Sequence, residues 1–204
     1  MLNYLLSGVS AGLLISLGGA VYLACENKVV GAVFFSLALL CICMKKYVLY
    51  TGKIGYIFRD RSKDYFSMLV FGLLGNVVGT VTGGICVSAA LPKLGEAAKT
   101  LCDAKGAQTF PEALLRAVLC GILVYLAVSL FSDKAGPLAL VLCIPAFILS
   151  GYEHCIADMF YFAAAGRFTA DGVLFILTAV LGNSFGAFVL PLLNAKERER
   201  AKNG

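Results

Sequence analysis

Glu153, His154 and Asp158 stand close together in the stretch "SGYEHCIADMF", Ser150 to Phe160, and His154 is the single histidine of the 204-residue chain. Three chemistries could use such a cluster: metal-assisted hydrolysis, a Ser/His dyad built on Ser150, or the binding and protonation of a small ligand. Hydrolytic zinc sites of the H-E-x-x-H type set two histidines one helical turn apart, and this segment has no second histidine to offer. A Ser150/His154 dyad has the right residue types, but neither a G-x-S-x-G elbow nor an oxyanion-loop signature accompanies it. Of the eight cysteines, Cys25, Cys41, Cys43, Cys86, Cys120, Cys143 and Cys155 lie in or beside apolar runs, and no C-x-x-C pair occurs. They read as packing groups, so no metal and no other cofactor is expected.

The surroundings of the cluster say where a ligand would be met. Mean hydropathy is +0.87, far too apolar for a soluble domain of this length. A helix that crosses the hydrocarbon layer needs roughly 20 mainly apolar residues. Six such stretches are present, at about 2–24, 29–58, 66–91, 114–131, 137–164 and 172–193. The first reads as a span rather than a cleaved leader, because its apolar run is long and no basic segment precedes it. Six spans put both ends on one side, with Arg59, Arg61, Lys63, Lys134 and the tail residues Lys196, Arg198, Arg200 and Lys202. On the other side Lys28, Lys93, Lys99, Lys105 and Arg167 are interleaved with acids. The basic excess predicts a cell-membrane protein with both termini in the cytoplasm. The tail, 195–204, reads as a solvated end facing anionic lipid, and a role in nucleic-acid binding is not expected.

Two short motifs then expose an internal repeat. "LGNVVG" begins at Leu74 in the third span and "LGNSFG" at Leu181 in the sixth, so Asn76 and Asn183 hold matching places. With three spans per half, the second half enters the membrane from the opposite side, which is the inverted-repeat plan of many transporters and channels. The substrate path in that plan lies between the repeats and is built from broken helices, whose freed backbone groups face a cavity instead of lipid. The second span is interrupted by Lys45, Lys46 and a Thr51-Gly52 turn signal, and the fifth around Gly151. The expected fold is therefore an all-α membrane protein of six transmembrane helices, a three-plus-three inverted repeat with broken second and fifth helices and an aquaporin-like protomer. One channel domain would fill 1–204, with repeats at about 1–92 and 110–194. Many glycines, such as Gly79, Gly83 and Gly84, need no reading beyond close helix packing. A lone histidine in a soluble core is usually structural. Here charge at membrane depth costs roughly 2.5 to 3.5 kcal/mol even on the mildest scale, so ionisable groups point to a pathway.

Taken in order, "FSLALL" with "LYTG", "LGNVVG", "RAVLCGILVYLAV", "SGYEHCIADMFY" and "LGNSFGAF" resemble the formate/nitrite transporters over nearly the whole chain. Members of that family are pentameric channels with a pore through each protomer, so the resemblance implies a homopentamer that passes a small monovalent anion or its conjugate acid. Residue by residue, His154 matches the central pore histidine, with Glu153 before it. Thr51 matches the threonine of the second-helix break and Asn183 the asparagine near the histidine. Phe35, Leu39, Leu49, Tyr50 and Phe147 match the apolar constrictions, and Lys105 a lysine of the outer vestibule.

The chain also departs from the pattern. Gly121 and Asp158 stand where the family usually has asparagines, Lys45 and Lys46 where small residues are typical, and Tyr50 where phenylalanine is frequent. The first span begins almost at Met1, without the family's N-terminal helix. One of Lys45 and Lys46 is expected to snorkel to the interface and the other to pair with Asp158, standing in for the polar group that Gly121 lacks.

A bare anion in an apolar ring faces a desolvation cost on the order of 20 kcal/mol in the idealised limit. A carboxylic acid with a pKa of roughly 4 is neutral only about one part in a thousand at pH 7, so a local proton supply matters. The expectation is that Lys105 gathers anions, the rings exclude hydrated ions, and His154, Thr51 and Asn183 hold the substrate between them, most simply formate or nitrite coupled to a proton. Burial of the ring and a carboxylate beside it act in opposite directions, so whether His154 gives up the proton stays open. Hydrosulfide, acetate or lactate would suit a pore of other width. A neutral-solute channel, which needs neither His154 nor Lys105, and an intramembrane enzyme are the competing classes.

Overall fold

The structure, a computed structural model, describes residues 1–194, and the basic tail at 195–204 lies outside the described residues. In chain order the helices are α1 (Leu2–Ala24), α2 (Lys28–Lys45), α3 (Tyr50–Lys53), α4 (Lys63–Ala90), α5 (Pro92–Gly106), α6 (Phe110–Leu130), α7 (Leu138–Leu149), α8 (Cys155–Ala164) and α9 (Ala170–Leu193). Five of them, α1, α2, α4, α6 and α9, are long and apolar enough to cross a membrane, and α7 and α8 are shorter apolar helices. The sixth crossing is thus made by two half-helices. Side chains satisfy the free N–H groups where the chain re-enters a helix. Asn27 accepts from Val29 and Val30, Ser62 from Tyr65, and Thr169 from Gly172, while Thr109 and Glu112 form a capping box at α6.

The two middle crossings break in the same way. α2 ends with Lys46 in the left-handed region at φ 57°, its N–H on the Cys43 carbonyl at 3.2 Å, and Tyr47 N–H returns to the Ile42 carbonyl at 3.0 Å. α7 ends with Gly151 at φ 69°, its N–H on the Ile148 carbonyl at 3.1 Å, and Tyr152 N–H returns to the Phe147 carbonyl at 3.0 Å. This paired bonding ends a helix cleanly, because it uses carbonyls that the next turn would have taken. Two residues later the backbone is extended, at Leu49 (φ −101°, ψ 119°) and His154 (φ −109°, ψ 106°), and the half-helices α3 and α8 begin. Thr51 and Gly52 lie inside α3, not in a turn as their types suggest; the break in the helix is made by Lys46 to Leu49. A short 3-10 segment, Ile54–Phe58, completes the second crossing.

Close helix pairs support each half, α1 against α4 and α6 against α9. The approach is tight enough to require glycine. A Cβ at Gly75 would overlap the Leu5 carbonyl, and one at Gly186 the Val118 carbonyl.

The polar segment between the repeats is itself helical. α5 buries Gly95, Ala98, Cys102 and Lys105, a spacing of three and four residues that lays one face on α8. Six crossings leave Met1 and Asn194 on one face of the protein and α5 on the other.

Candidate functional site

Two asparagines fix the two broken helices. In the first half Tyr50 N–H donates to Asn76 Oδ1 at 2.9 Å, and Asn76 Nδ2 donates to the carbonyls of Val48 and Gly8, each at 2.9 Å. In the second half Cys155 N–H donates to Asn183 Oδ1 at 2.9 Å, and Asn183 Nδ2 donates to the carbonyls of Glu153 and Ala117, each at 2.8 Å. Each asparagine thereby binds the first amide of a half-helix, a carbonyl of the extended link before it, and a carbonyl of the neighbouring span. The half-helix amide and the link carbonyl are backbone groups that the break would otherwise orphan in a buried setting, while the Gly8 and Ala117 carbonyls lie inside the unbroken α1 and α6. Both Asn183 donors are taken, so the substrate contact expected of this side chain is replaced by support of the link that carries His154.

His154 sits at the start of α8 and is 4% exposed. Its Nδ1 accepts from Ala157 N–H at 3.2 Å, which makes the ring the N-cap of α8, and its Nε2 lies 2.9 Å from Thr51 Oγ1 on α3. An accepting Nδ1 bears no hydrogen, so in the neutral ring the proton is on Nε2 and points to the Thr51 hydroxyl. The Thr51 hydrogen is then free to serve another acceptor. Phe147 stacks on the imidazole with ring centroids 5.5 Å apart and planes at 27°. The pair His154–Thr51 joins the two repeats at their centre.

Cavities open on both sides of this centre. On the α5 face a cavity of about 190 Å³ has Phe35, Phe147 and His154 in its lining, with Lys105, Glu153 and Asp158. On the termini face a cavity of about 360 Å³ has Leu39 and Leu49 in its lining, with Lys46 and Lys53. The four apolar residues expected at the constrictions therefore divide into two pairs, one on each side of His154. Tyr50 lines neither cavity, and its hydroxyl is held 2.9 Å from Ser184 Oγ.

The charged groups are distributed otherwise than the residue types suggest. Lys105 Nζ pairs with Glu153 Oε2 and, at 2.9 Å, with Asp158 Oδ1. Gln108 Nε2 donates to Glu153 Oε1 at 2.6 Å. Burial alone disfavours the charged form of the Lys105 amine. The two carboxylates more than offset it and hold the ammonium above its ordinary range. Asp158 thus takes its partner from α5, and the expected pairing with Lys45 or Lys46 is not formed; both of those lysines are exposed, on the other side of the constrictions. Gly121 leaves no polar gap for such a pair to fill, because its bare Cα packs on the Asn183 backbone. Ser184 and Gln108 were not legible as site residues; a serine in an apolar span and a glutamine after a helix are too common to stand out.

Residues 1–195 match the formate/nitrite transporter family. The chain is 28% identical to a formate-nitrite transporter of Plasmodium falciparum (isolate 3D7), over 94% of this chain and 76% of that protein. It is 25% identical to the formate channel FocA of Haemophilus influenzae, over 76% of this chain and 63% of that protein. In fold it is similar to a pentameric formate channel with formate bound, with a TM-score of 0.78 at 22% identity, covering 93% of this chain and 94% of the other. It is also similar to an FNT family ion channel, with a TM-score of 0.76 at 24% identity, covering 93% and 85%. Mirrored broken helices, a buried histidine with apolar-lined cavities on either side and a family match across nearly the whole length lead to one conclusion: the chain belongs to the formate/nitrite transporter family.

Proposed function

We propose that the protein is a channel for small monovalent weak-acid anions, with formate or nitrite as its main cargo, and that the cargo crosses the constrictions together with a proton. The observation that carries this reading is the placement of His154 and Thr51, a buried hydrogen-bonding pair, between Phe35 and Phe147 on one side and Leu39 and Leu49 on the other. An ion stripped of water by such rings loses its hydration energy, and two neutral dipoles do not replace it. A weak acid avoids that barrier by taking a proton before the ring and releasing it after. In this reading Thr51 Oγ1–H, oriented by His154 Nε2–H, donates to an oxygen of the cargo, while Asn76 and Asn183 hold the links that carry the lining.

A relative described as a pentameric formate channel supports a homopentamer here, with one pore per protomer. The exposed apolar residues of α1, α2 and α4 supply faces for neighbouring protomers and lipid. Arg59, Arg61 and Lys63 follow the second crossing on the face of the termini, which supports a cell-membrane orientation with that face in the cytoplasm.

Proteoliposomes test the function. Uptake of formate or nitrite that rises as external pH falls, well above that of hydrosulfide, acetate or lactate, is the expected pattern. Urea uptake without anion uptake would replace this reading with a neutral-solute channel.

A further inference from the structure

The cluster on the α5 face sets two carboxyl groups around one lysine. Glu153 and Asp158 are 2% and 1% exposed, and both bind the one ammonium of Lys105. Three of their four carboxylate oxygens have partners: Glu153 Oε2 and Asp158 Oδ1 in Lys105, and Glu153 Oε1 in Gln108. The fourth, Asp158 Oδ2, is buried without a hydrogen-bond partner among the described residues, and so is Gln108 Oε1. Both residues line the same cavity. Two ionised carboxylates would outnumber the one ammonium bound to them on the path of an anion, and the two acceptors would have no donor among the described residues. One proton removes both conflicts.

We propose that Asp158 is a proton-holding site: its Oδ2 carries an exchangeable proton at neutral pH, and this is the proton that an incoming anion takes before it reaches His154. The inference rests on the weak-acid permeation proposed above. In the step itself the Asp158 Oδ2–H bond breaks as an O–H bond forms on the anion, and the carboxylate left behind stays paired with Lys105. A hydronium ion arriving from bulk water at the cavity mouth then gives its proton to Oδ2 and leaves as water.

The titratable and charged neighbours are consistent with that role. From α5 come Lys105 and Cys102, and from α6 Cys120 and, at the exposed mouth, Arg116. From α1 comes Tyr22, and from the segment of Asp158 itself come Glu153, His154, Cys155 and Tyr161. α9 contributes the ring of Phe175, 5.9 Å from Lys105 Nζ. Only Lys105 and Arg116 among them carry fixed positive charge, and Lys105 is the one bound to Asp158.

Asp158→Asn tests the assignment, because it keeps the shape and a hydrogen-bonding oxygen while removing the proton. Infrared difference spectra of the full chain in lipid, with and without 13C-labelled aspartate, should show the carbonyl stretch of a protonated carboxyl group at neutral pH, absent in Asp158→Asn. Formate uptake by the assembled variant should fall on the order of a hundredfold and lose most of its dependence on external pH, as removal of a positioned proton donor does. An ionised Asp158 in the spectra, or a variant with the wild-type pH profile, would overturn the proposal. Wild-type protein that moves no weak-acid anion would instead refute the transport reading, and the spectra would still decide the protonation.

Discussion

Asn76 and Asn183 make the same three hydrogen bonds in opposite halves of the protein, each tying the first amide of a half-helix to two carbonyls of its own repeat. The repeat is therefore mechanical as well as topological: one side chain per half holds an extended link open toward the pore. The links differ in what they present. Leu49 stands in the first where His154 stands in the second, so one link carries an apolar side chain and the other a polar ring.

Replacing either asparagine by alanine leaves two buried backbone groups of the break without partners, at about 1 to 3 kcal/mol for each. Asn76→Ala and Asn183→Ala should lower the thermal midpoint in detergent by similar amounts. A large loss for one and none for the other would show that the two pins are not equivalent.

Lys46 adopts a left-handed conformation that glycine holds at the matching position, Gly151. That conformation costs a residue with a Cβ roughly 1 to 2 kcal/mol. Lys46→Gly should raise the thermal midpoint, and Gly151→Ala should lower it. Calorimetry of the two variants beside wild type checks both signs.

Thr51→Val removes the hydroxyl that faces His154 Nε2 and keeps the volume. Formate uptake should fall about fivefold, the loss of one neutral hydrogen bond of about 1 kcal/mol, and the buried His154 Nε2–H left without its acceptor should cost about 1 to 3 kcal/mol of stability. Thr51→Ser should retain most of the flux. Equal flux from both variants would remove Thr51 from the transport path.

Tyr50 is tethered to Ser184 outside both cavities. Tyr50→Phe should therefore cost about 1 kcal/mol of stability and leave uptake within about twofold of wild type. Widening the termini-side constriction with Leu39→Ala should instead admit hydrated ions, read as a chloride leak in the same vesicles.

The spans, the inverted repeat and the two breaks were legible because apolar length, the paired L-G-N motifs and intramembrane charge are all local in sequence. Partner choice was not local. Which lysine meets Asp158 depends on α5, whose buried face is made of Gly95, Ala98 and Cys102, small residues that give no strong apolar period. Asn183 was legible as important and not as fully occupied, since an asparagine supports a backbone or binds a ligand with the same atoms. Thr51-Gly52 has turn composition, yet the turn falls a few residues earlier, where the left-handed Lys46 allows it.

Initial formate uptake into proteoliposomes at two external pH values, with urea as the neutral control, bears most directly on the pathway through His154. Rapid formate uptake that increases as external pH falls, with little urea uptake, is the result expected of a weak acid crossing with its proton. Formate uptake indifferent to pH, or urea uptake in its place, would contradict it.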